Sequence, residues 1–333
     1  MLDRGIDVTG IAAERYGMLS PMRINGIRFS PLPIFIDTQS ALFSRLNRDG
    51  ALGQDLLRVE YCDTAHSGES RKPTAGSVAD FLTRFHDHPE RSIILARKHL
   101  GQIVDEKDVP ELREKIRRHY STGSHGGVRL GFSQGMSPYF QYLSTGPEMP
   151  IVQYTVEEIN IVDKYIAGGG NKVYYERLIS TIPLNRFLAL SQFNRNVAVE
   201  SGGAHFVFFA TDEHLDTNLL IYDCDPLSEI YRVFVPARGI VVVHVAREHW
   251  YAPKSDLARR VQVLLGFTHA PKWKDCITLA NCYPLGVSDY ALKACIRTEL
   301  EARGVLLFGR FGEWEYRDLE ELDWGRCDEF SEH

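Results

Sequence analysis

The stretch Gly304–Tyr316, GVLLFGRFGEWEY, constrains the fold of this chain more than any other. Its apolar run Val305–Phe308 leads directly into Gly309 and Arg310, and a helical pattern precedes it. A buried strand between helical patterns, closed by glycine, is typical of an α/β sheet that presents a ligand site at the carboxyl end of a strand. The same spacing also fits a buried strand followed by a surface turn in which Arg310 is solvated.

Composition places the chain among ordinary folded proteins. Its 333 residues are 44% hydrophobic and 25% charged, which is enough apolar material for about two domains or one large α/β domain. The net charge of −6 argues against nucleic-acid binding. Because no run of eighteen apolar residues and no apolar signal segment occur, neither a membrane span nor secretion is expected.

The spacing of the cysteines indicates a reducing cellular compartment and argues against a metal site. The six cysteines form no C-x-x-C pair, so we expect reduced, mostly buried thiols in a cytoplasmic protein. No metal is expected either, because the ligand spacing of a zinc site is missing. The cysteines are Cys62, Cys224, Cys276, Cys282, Cys295 and Cys327.

Turn residues and hydrophobic periodicity divide the chain into five segments. The second segment is predicted to be helical because Ser77–Phe85 is amphipathic and Pro110 opens a further helix. The segments are an N-terminal region with a hairpin at Asn25-Gly26 (1–76), a helical subdomain (77–122), a region of strands with a hairpin (123–184), an antiparallel sheet (185–270), and a C-terminal helix and strand that lead into GRFGEWEY (271–333).

Two regions predict strands. The glycines at 168–170 predict a hairpin turn, and Leu178–Leu184 predicts an apolar strand that proline closes. Between residues 203 and 250, four apolar runs alternate as in a meandering antiparallel sheet with one exposed face. Tyr222, Tyr231 and Arg232 are candidates to line that face, although they also fit as ordinary sheet residues.

Two C-terminal helices are predicted, Ser255–Leu265 and Ser288–Arg303, each with its first serine as the N-cap. Gly131 and Gly135 bracket a turn before a further helix, which fits either the approach of a ligand or a tight helix start. His125, in the preceding glycine-rich loop, is a candidate catalytic base, but a loop histidine also fits a solvated side chain.

Several segments, in order, resemble the flavoproteins of the UDP-galactopyranose mutase and amine-oxidase-like group. GRFGEWEY (309–316) is similar to that group's glycine-arginine-aromatic motif beside the flavin, and LISTIPL (178–184) is similar to one of its strands. Gly131–Ser144 resembles its glycine turn before a helix, and the matches span roughly residues 20–325. The resemblance implies a mixed α/β, α+β fold. It would combine an incomplete FAD-binding Rossmann-like cofactor domain (strands and hairpin at 123–184 and the C-terminal return to it at 271–333), an antiparallel-sheet substrate domain (185–270) and a helical subdomain (77–122).

By this resemblance the cofactor is FAD, and the activity is that of a flavin-dependent oxidoreductase or of a sugar-nucleotide mutase. Arg310 would approach a diphosphate, where a guanidinium fork suits phosphate oxygens. The substrate would be a small molecule, with a sugar nucleotide as one candidate, and no catalytic base is identified. The implied cofactor-binding residues are Gly309, Arg310, Gly312, Asp318, Leu319, Gly131 and Gly135, and the implied substrate-binding residues are Tyr222, Tyr231, Arg232, Trp314 and Tyr316.

One departure from the group is its dinucleotide fingerprint. The group carries a G-x-G-x-x-G motif for the ADP half of FAD. This sequence has none, since the triple glycine at 168–170 is followed by Val173 where the third glycine would stand. Three explanations are open: a partner polypeptide supplies this unit, the chain is a relative that binds no FAD, or it is a truncated gene product. We expect the first, which describes a split flavoenzyme. A non-catalytic scaffold subunit and a non-flavin enzyme remain the alternatives.

Overall fold

A computed structural model describes residues 9–12, 22–29, 35–37, 55–56, 58–62, 129–131, 151–217, 219–223, 229–246, 251–315 and 322–332. These residues belong to two compact units. The first combines Met1–Ser20, Tyr139–Ser201 and Tyr283–His333, and the second combines Pro21–Pro138 and Gly202–Cys282. The predicted helical subdomain and the predicted helix at Ser137 lie outside the described residues. The division into five segments stays a prediction.

The described elements are strands for the most part. The strands are β1 (Gly10–Ala12), β2 (Met22–Ile24), β3 (Ile27–Phe29), β4 (Phe35–Asp37), β5 (Asp55–Leu56), β6 (Arg58–Cys62), β7 (Arg129–Gly131), β8 (Ile151–Gln153), β9 (Glu158–Asn160), β10 (Tyr165–Gly168), β11 (Asn171–Tyr174), β12 (Leu178–Ser180), β13 (Val199–Ala210), β14 (Leu219–Asp223), β15 (Ile230–Ala237), β16 (Ile240–Ala246), β17 (Lys272–Val287) and β18 (Val305–Leu307). The helices are α1 (Leu184–Leu190), α2 (Lys254–Leu265), α3 (Tyr290–Ala302), α4 (Gly309–Gly312) and α5 (Trp324–Glu332). None of these helices combines the length and the apolar composition that a membrane crossing requires.

The first unit contains a parallel pair of strands, β12 and β18, in which Leu178 faces Val305 and Ser180 faces Leu307. All three residues of β18 are buried, as expected for an apolar strand that is covered on both faces. One face packs on α1 and α3, and the other packs on Cys327 of α5. The strand predicted over Leu178–Leu184 ends earlier, at Ser180, because Pro183 and Leu184 already begin α1.

Both predicted hairpins form. β2 and β3 pair across Asn25 and Gly26, which have φ angles of 51° and 81°. These left-handed angles are what an Asn-Gly turn provides. β10 and β11 pair across the glycines at 169–170, and β9 adds a third strand that the sequence pattern did not predict.

The second unit is organised around a six-stranded sheet with the order β17-β13-β16-β15-β14-β6. The four apolar runs between residues 203 and 250 form β13 to β16, and neighbours among them pair antiparallel, as predicted. The predicted meander is wrong, because β13 lies beside β16 and not beside β14. Strand β6 adds to β14 in parallel.

The prediction that the apolar runs leave one face of this sheet exposed is wrong at β16. Residues 240–245 of β16 are all buried, so neither face at this strand reaches solvent. One face packs against Leu257, Val261 and Leu264 of α2. On the other face Phe29 of β3 contacts Phe208, with ring centroids 6.0 Å apart. Alternation failed as a guide because these strands are apolar at almost every position.

The two C-terminal helices form as predicted, but neither serine is the N-cap. Helix α2 begins at Lys254 after Pro253, without a side-chain cap. Helix α3 is capped by Asp289, whose Oδ1 accepts a hydrogen bond from the Leu292 backbone N–H at 2.8 Å. Gly304 follows α3 with a φ of +78°, as a helix-ending glycine should.

Cys276, Cys295 and Cys327 are free thiols, as predicted. The sequence predicted mostly buried thiols, but of these three Cys327 is buried, Cys276 is half-buried and Cys295 is exposed. Burial raises the pKa of Cys327 to about 11, so this thiol is protonated at neutral pH and is a poor nucleophile.

Candidate functional site

The parallel strands β12 and β18 end side by side. The Phe308 backbone N–H donates to the Ser180 carbonyl at 2.9 Å, which continues the ladder one residue beyond β18. Gly309 and Arg310 follow at once and begin α4. The stretch that opened the sequence analysis therefore places its glycine and arginine at the carboxyl ends of two parallel strands, where α/β sheets hold ligands.

The two glycines of this motif have different surroundings. Gly309 has a φ of +81°, and a Cβ built on it would meet nothing within 4 Å. A Cβ on Gly312 would lie 2.6 Å from the Ser180 carbonyl oxygen. Gly312 therefore allows α4 to pack closely on the end of β12, whereas Gly309 leaves its backbone open to approach by another group.

Arg310 is partly exposed, and Trp314 is not. Trp314 is 2% exposed and packs in the core of the first unit, with its ring edge-on to Phe311 at 6.3 Å. Its φ of 51° is unusual for a bulky residue and is sustained by this packing. The sequence predicted Trp314 as a substrate-side residue, and the structure places it inside the core.

Ion pairs hold the segment after α4 in place. Glu313, which is buried, accepts from Arg326 of α5 at 2.7 Å, and Arg326 also pairs with Glu301 of α3. Glu315 pairs with the buried Lys293 of α3 at 2.9 Å. These contacts attach the motif to two longer helices, so the strand ends keep a defined geometry.

One buried polar atom at this position is orphaned. The Ser180 hydroxyl is buried at the end of β12 and makes no hydrogen bond. Buried hydroxyls nearly always have a partner, so this one is a place where a ligand atom would be accommodated at no cost in lost protein contacts.

Other predicted cofactor residues lie elsewhere or outside the described part. Gly131 is the last residue of β7 in the second unit, where it is the register partner of Phe35 and of Asp55. Gly135, Tyr316, Asp318 and Leu319 lie outside the described residues, as does His125. Gly309, Arg310 and Gly312 are thus the predicted residues that the structure brings together.

The predicted substrate residues of the second unit are partly brought together. Tyr222 of β14 and Arg232 of β15 are register partners. Tyr231 does not continue this pattern, because the register between β15 and β16 shifts between Ile230 and Arg232. A bulge interrupts the regular two-residue alternation of a strand. That alternation therefore could not predict the position of Tyr231.

Sequence reasoning missed His244, which lies beside Arg232 on the neighbouring strand β16. The Arg232 Nε donates a hydrogen bond to the His244 Nδ1 at 2.5 Å, and His244 is fully buried. Its ring lies edge-on to Phe206, with centroids 4.2 Å apart. The signal was present in the sequence, since His244 is the polar residue in the otherwise apolar run 240–245.

A second buried histidine lies on β13. His205 Nε2 is 3.0 Å from Lys254 Nζ, and its Nδ1 is 2.7 Å from Thr278 Oγ1. Burial, and then the positive charge of Lys254, lower the pKa of His205 below its ordinary value, so the ring is neutral at neutral pH. This cluster joins the start of α2 to β13 and β17.

A cavity in the described part of the chain lies at the other end of the parallel pair. Its volume is about 1010 Å³, and it is lined by charged side chains of both signs near the amino ends of β12 and β18. Several of these are engaged within the protein. Lys164 donates to the Glu176 carbonyl at 3.1 Å, and Arg177 donates to the Phe330 carbonyl. Among the described residues, no group of three or more His, Cys, Asp or Glu side chains could hold a metal ion.

No family model matches the sequence, and no curated protein matches it. Solved structures do match. A reduced UDP-galactopyranose mutase is 15% identical with a TM-score of 0.63, and the alignment covers 92% of this chain and 83% of that one. Putrescine oxidase bound to putrescine is 11% identical with a TM-score of 0.61, covering 98% and 94%. An oxidoreductase from Methanosarcina mazei is 11% identical with a TM-score of 0.56, covering 81% and 80%.

Identities this low establish the fold alone. The chain has a mixed α/β fold, with an antiparallel sheet in the second unit and a parallel pair of strands in the first, and it shares its fold with UDP-galactopyranose mutase and putrescine oxidase.

Proposed function

We propose that this chain is a subunit of a split FAD-dependent enzyme, in which a partner polypeptide supplies the G-x-G-x-x-G unit for the ADP half of FAD. The observation that carries the proposal is the position of Gly309 and Arg310 at the joint carboxyl ends of β12 and β18. The missing fingerprint in the sequence supports the need for a second chain.

The residues at this position fit a flavin nucleotide. Gly309 leaves open space above its backbone, and the Ser180 hydroxyl is buried without a partner. Arg310 offers a guanidinium, which binds phosphate oxygens in a bidentate manner. Gly309 and Arg310 would hold the cofactor, and the flavin would supply the redox chemistry when bound. Asp318 and Leu319 are proposed to lie beside its polar edge.

The reaction class is either that of an oxidoreductase or that of a sugar-nucleotide mutase. The proposed substrate-side residues are Tyr222, Tyr231 and Arg232 of the second unit, together with Tyr316. We propose that the enzyme is cytoplasmic.

A second candidate function is a non-catalytic subunit of the same fold that binds no FAD. The absence of the G-x-G-x-x-G motif from the sequence favours it. The two candidates differ in one property that can be measured directly, because a flavin-binding subunit gives a yellow complex and a scaffold gives a colourless one.

The test is an absorbance spectrum of the full chain, purified alone and after co-expression with a candidate chain that carries G-x-G-x-x-G. The split enzyme should show flavin bands between about 370 and 450 nm in the complex. Arg310→Ala should weaken FAD binding to that complex about 10-fold or more, since it removes a charge-assisted hydrogen bond. A colourless, stable complex that is indifferent to added FAD would contradict the proposal.

Arg195→Ala is the matched control. Arg195 is another exposed arginine of the first unit, and it pairs with Glu299 at 3.5 Å. It should leave FAD binding unchanged. Loss of FAD with both variants would show that the assay reports general damage to the unit. In that case Arg310→Lys separates general damage from loss of a specific contact, because it keeps the positive charge and removes only the planar guanidinium fork. Its affinity for FAD should lie between those of the wild type and Arg310→Ala.

A further inference from the structure

Two separate parallel pairs of strands lie in the described part of the first unit. In one pair Ile11 of β1 is the register partner of Val152 of β8, and in the other Ile179 of β12 is the register partner of Leu306 of β18. Among the described strands, neither pair is hydrogen-bonded to the other. Parallel sheets are normally built from several adjoining strands with both faces covered, so two isolated pairs in one unit are unusual.

Both pairs pack on the same hydrophobic core. Val305 and Leu307 of β18 belong to the buried cluster of the first unit. Ile11 and Val152 pack against that cluster from the other pair, and both remain half-buried. The two pairs therefore cover one core, although no described strand joins them.

The edge of β12 that faces away from β18 is incomplete. The Leu178 backbone N–H donates to the Gly304 carbonyl at 2.9 Å, and the Ser180 carbonyl accepts from the Phe308 N–H at the same distance. Backbone groups alternate in direction along a strand, so the N–H and C=O of Ile179 point away from β18. Leu178 and Ile179 are half-buried, whereas β18 is buried throughout. A strand that added to this edge would find one donor and one acceptor at Ile179.

The succession of the strands along the chain indicates which neighbour is missing. In a doubly wound sheet the spatial order is 3-2-1-4-5, and the first strand ends in the G-x-G-x-x-G turn. The observed neighbours, β8 beside β1 and β12 beside β18, correspond to 3-2 and 4-5. These are the pairs that the order retains when its first strand is removed, and the sequence lacks the motif that follows that strand.

We propose that a strand of the partner polypeptide pairs in parallel with β12, on the edge away from β18, and lies between β12 and β1. The inference rests on the proposed function, because it takes the partner to be the chain that carries G-x-G-x-x-G. It adds the interaction surface, in which main-chain hydrogen bonds hold an apolar strand over the core that both pairs share.

The parallel direction also accounts for the position of the glycine turn. Parallel strands have their carboxyl ends at the same edge of a sheet, so the turn after the partner strand would lie beside Gly309 and Arg310, which follow β18. The inserted strand thus brings the two halves of the proposed cofactor site to one edge.

Amide-resolved hydrogen exchange of the full chain tests the open edge without a partner. After correction for intrinsic rates, the Ile179 N–H should exchange about 10-fold or more faster than the Leu178 N–H, which is bonded to the Gly304 carbonyl. Equal protection of the two amides would overturn the inference, because the edge would then already be occupied.

The second measurement uses the complex with the co-expressed G-x-G-x-x-G chain. Exchange at Ile179 should slow about 10-fold or more relative to the free chain, since its N–H gains an acceptor. Ile179→Pro should weaken the complex about 10-fold or more, because proline has no N–H to donate. Proline is tolerated in an edge strand where the N–H faces outward, so the Leu178 amide of the free variant should stay protected.

Lys172→Pro is the matched control. Lys172 is exposed on β11, an edge strand of a different sheet in the first unit. It follows Asn171, whose pairing with Gly168 closes the two-residue turn, so its N–H also points outward. This variant should leave the complex unchanged. If Ile179→Pro does not fold, protection of the Ile179 amide in the wild-type complex still decides the question.

The outcomes separate this inference from the proposed function. A yellow complex in which the Ile179 amide exchanges as fast as in the free chain overturns the strand pairing and leaves the split enzyme standing. A colourless complex in which that amide is protected counts against the flavin and supports the pairing. If no chain with G-x-G-x-x-G forms a complex, both fail.

Discussion

At the scale of single residues, the two glycines of the C-terminal motif have separate physical roles. Gly312 is required by space, because a Cβ there would lie 2.6 Å from the Ser180 carbonyl oxygen. Gly309 is required by backbone angle, since its φ is +81° while its surroundings are open. The sequence alone does not distinguish these two roles, because both residues are glycines of one motif.

This difference predicts that the two positions respond to different substitutions. Gly312→Ala should destabilise the protein by about 1–3 kcal/mol, because backbone must shift to admit the methyl group. Gly309→Asn should cost less, about 1 kcal/mol, since asparagine tolerates left-handed angles better than other side chains and meets no neighbour. Urea unfolding of both variants measures the difference. Similar losses at the two positions would contradict the assignment.

At the scale of secondary-structure elements, helix α3 supports the motif. It supplies Lys293 and Glu301, which reach Glu315 and Arg326. Its start is set by Asp289, not by the serine before it. Asp289 therefore fixes the first turn of α3, four residues before Lys293.

The cap makes a prediction for two adjacent residues. Asp289→Ala should lower the free energy of unfolding by about 1 kcal/mol, because the Leu292 backbone N–H loses its acceptor. Ser288→Ala should change it by less than about 0.5 kcal/mol, since that side chain is exposed and is not the cap. Thermal unfolding of the two variants measures these changes in stability. A larger loss of stability in Ser288→Ala than in Asp289→Ala would show that Ser288 is the cap.

At the scale of the whole molecule, the stability of the fold should depend on pH through His205. Its pKa is lowered in the folded state by burial and by Lys254, whereas in the unfolded chain it is about 6.5. The unfolded chain then binds more protons, so stability rises with pH. The contribution is complete above about pH 6.5 and is lost progressively as the pH falls from there toward the folded pKa.

The measurement is chemical unfolding of the full chain between about pH 5.5 and 7.5, where most carboxylates stay ionised. His205→Gln, which keeps an acceptor for Lys254, should flatten the pH dependence. His269→Gln is the control, because His269 is 87% exposed in its side chain and should leave the slope unchanged. A slope that persists in His205→Gln would assign the pH dependence to another group.

The sequence by itself determined the apolar segments and many of their boundaries. The buried strand at 305–307, the hairpin glycines, the four runs of the large sheet and the two C-terminal helices follow from local periodicity and turn chemistry. The order of its motifs also indicated the fold that the solved structures share. These properties are local, or are carried by the succession of local patterns along the chain.

Tertiary structure alone decided which side chains meet. No periodicity joins Arg232 to His244, because that contact depends on the pairing of β15 with β16 and on the bulge beside Tyr231. The close approach of Gly312 to Ser180 links residues 132 positions apart in the chain through two parallel strands. Whether a sheet face is buried likewise depends on which elements pack against it. Strands that are apolar at almost every position carry no alternating pattern from which that burial could be predicted.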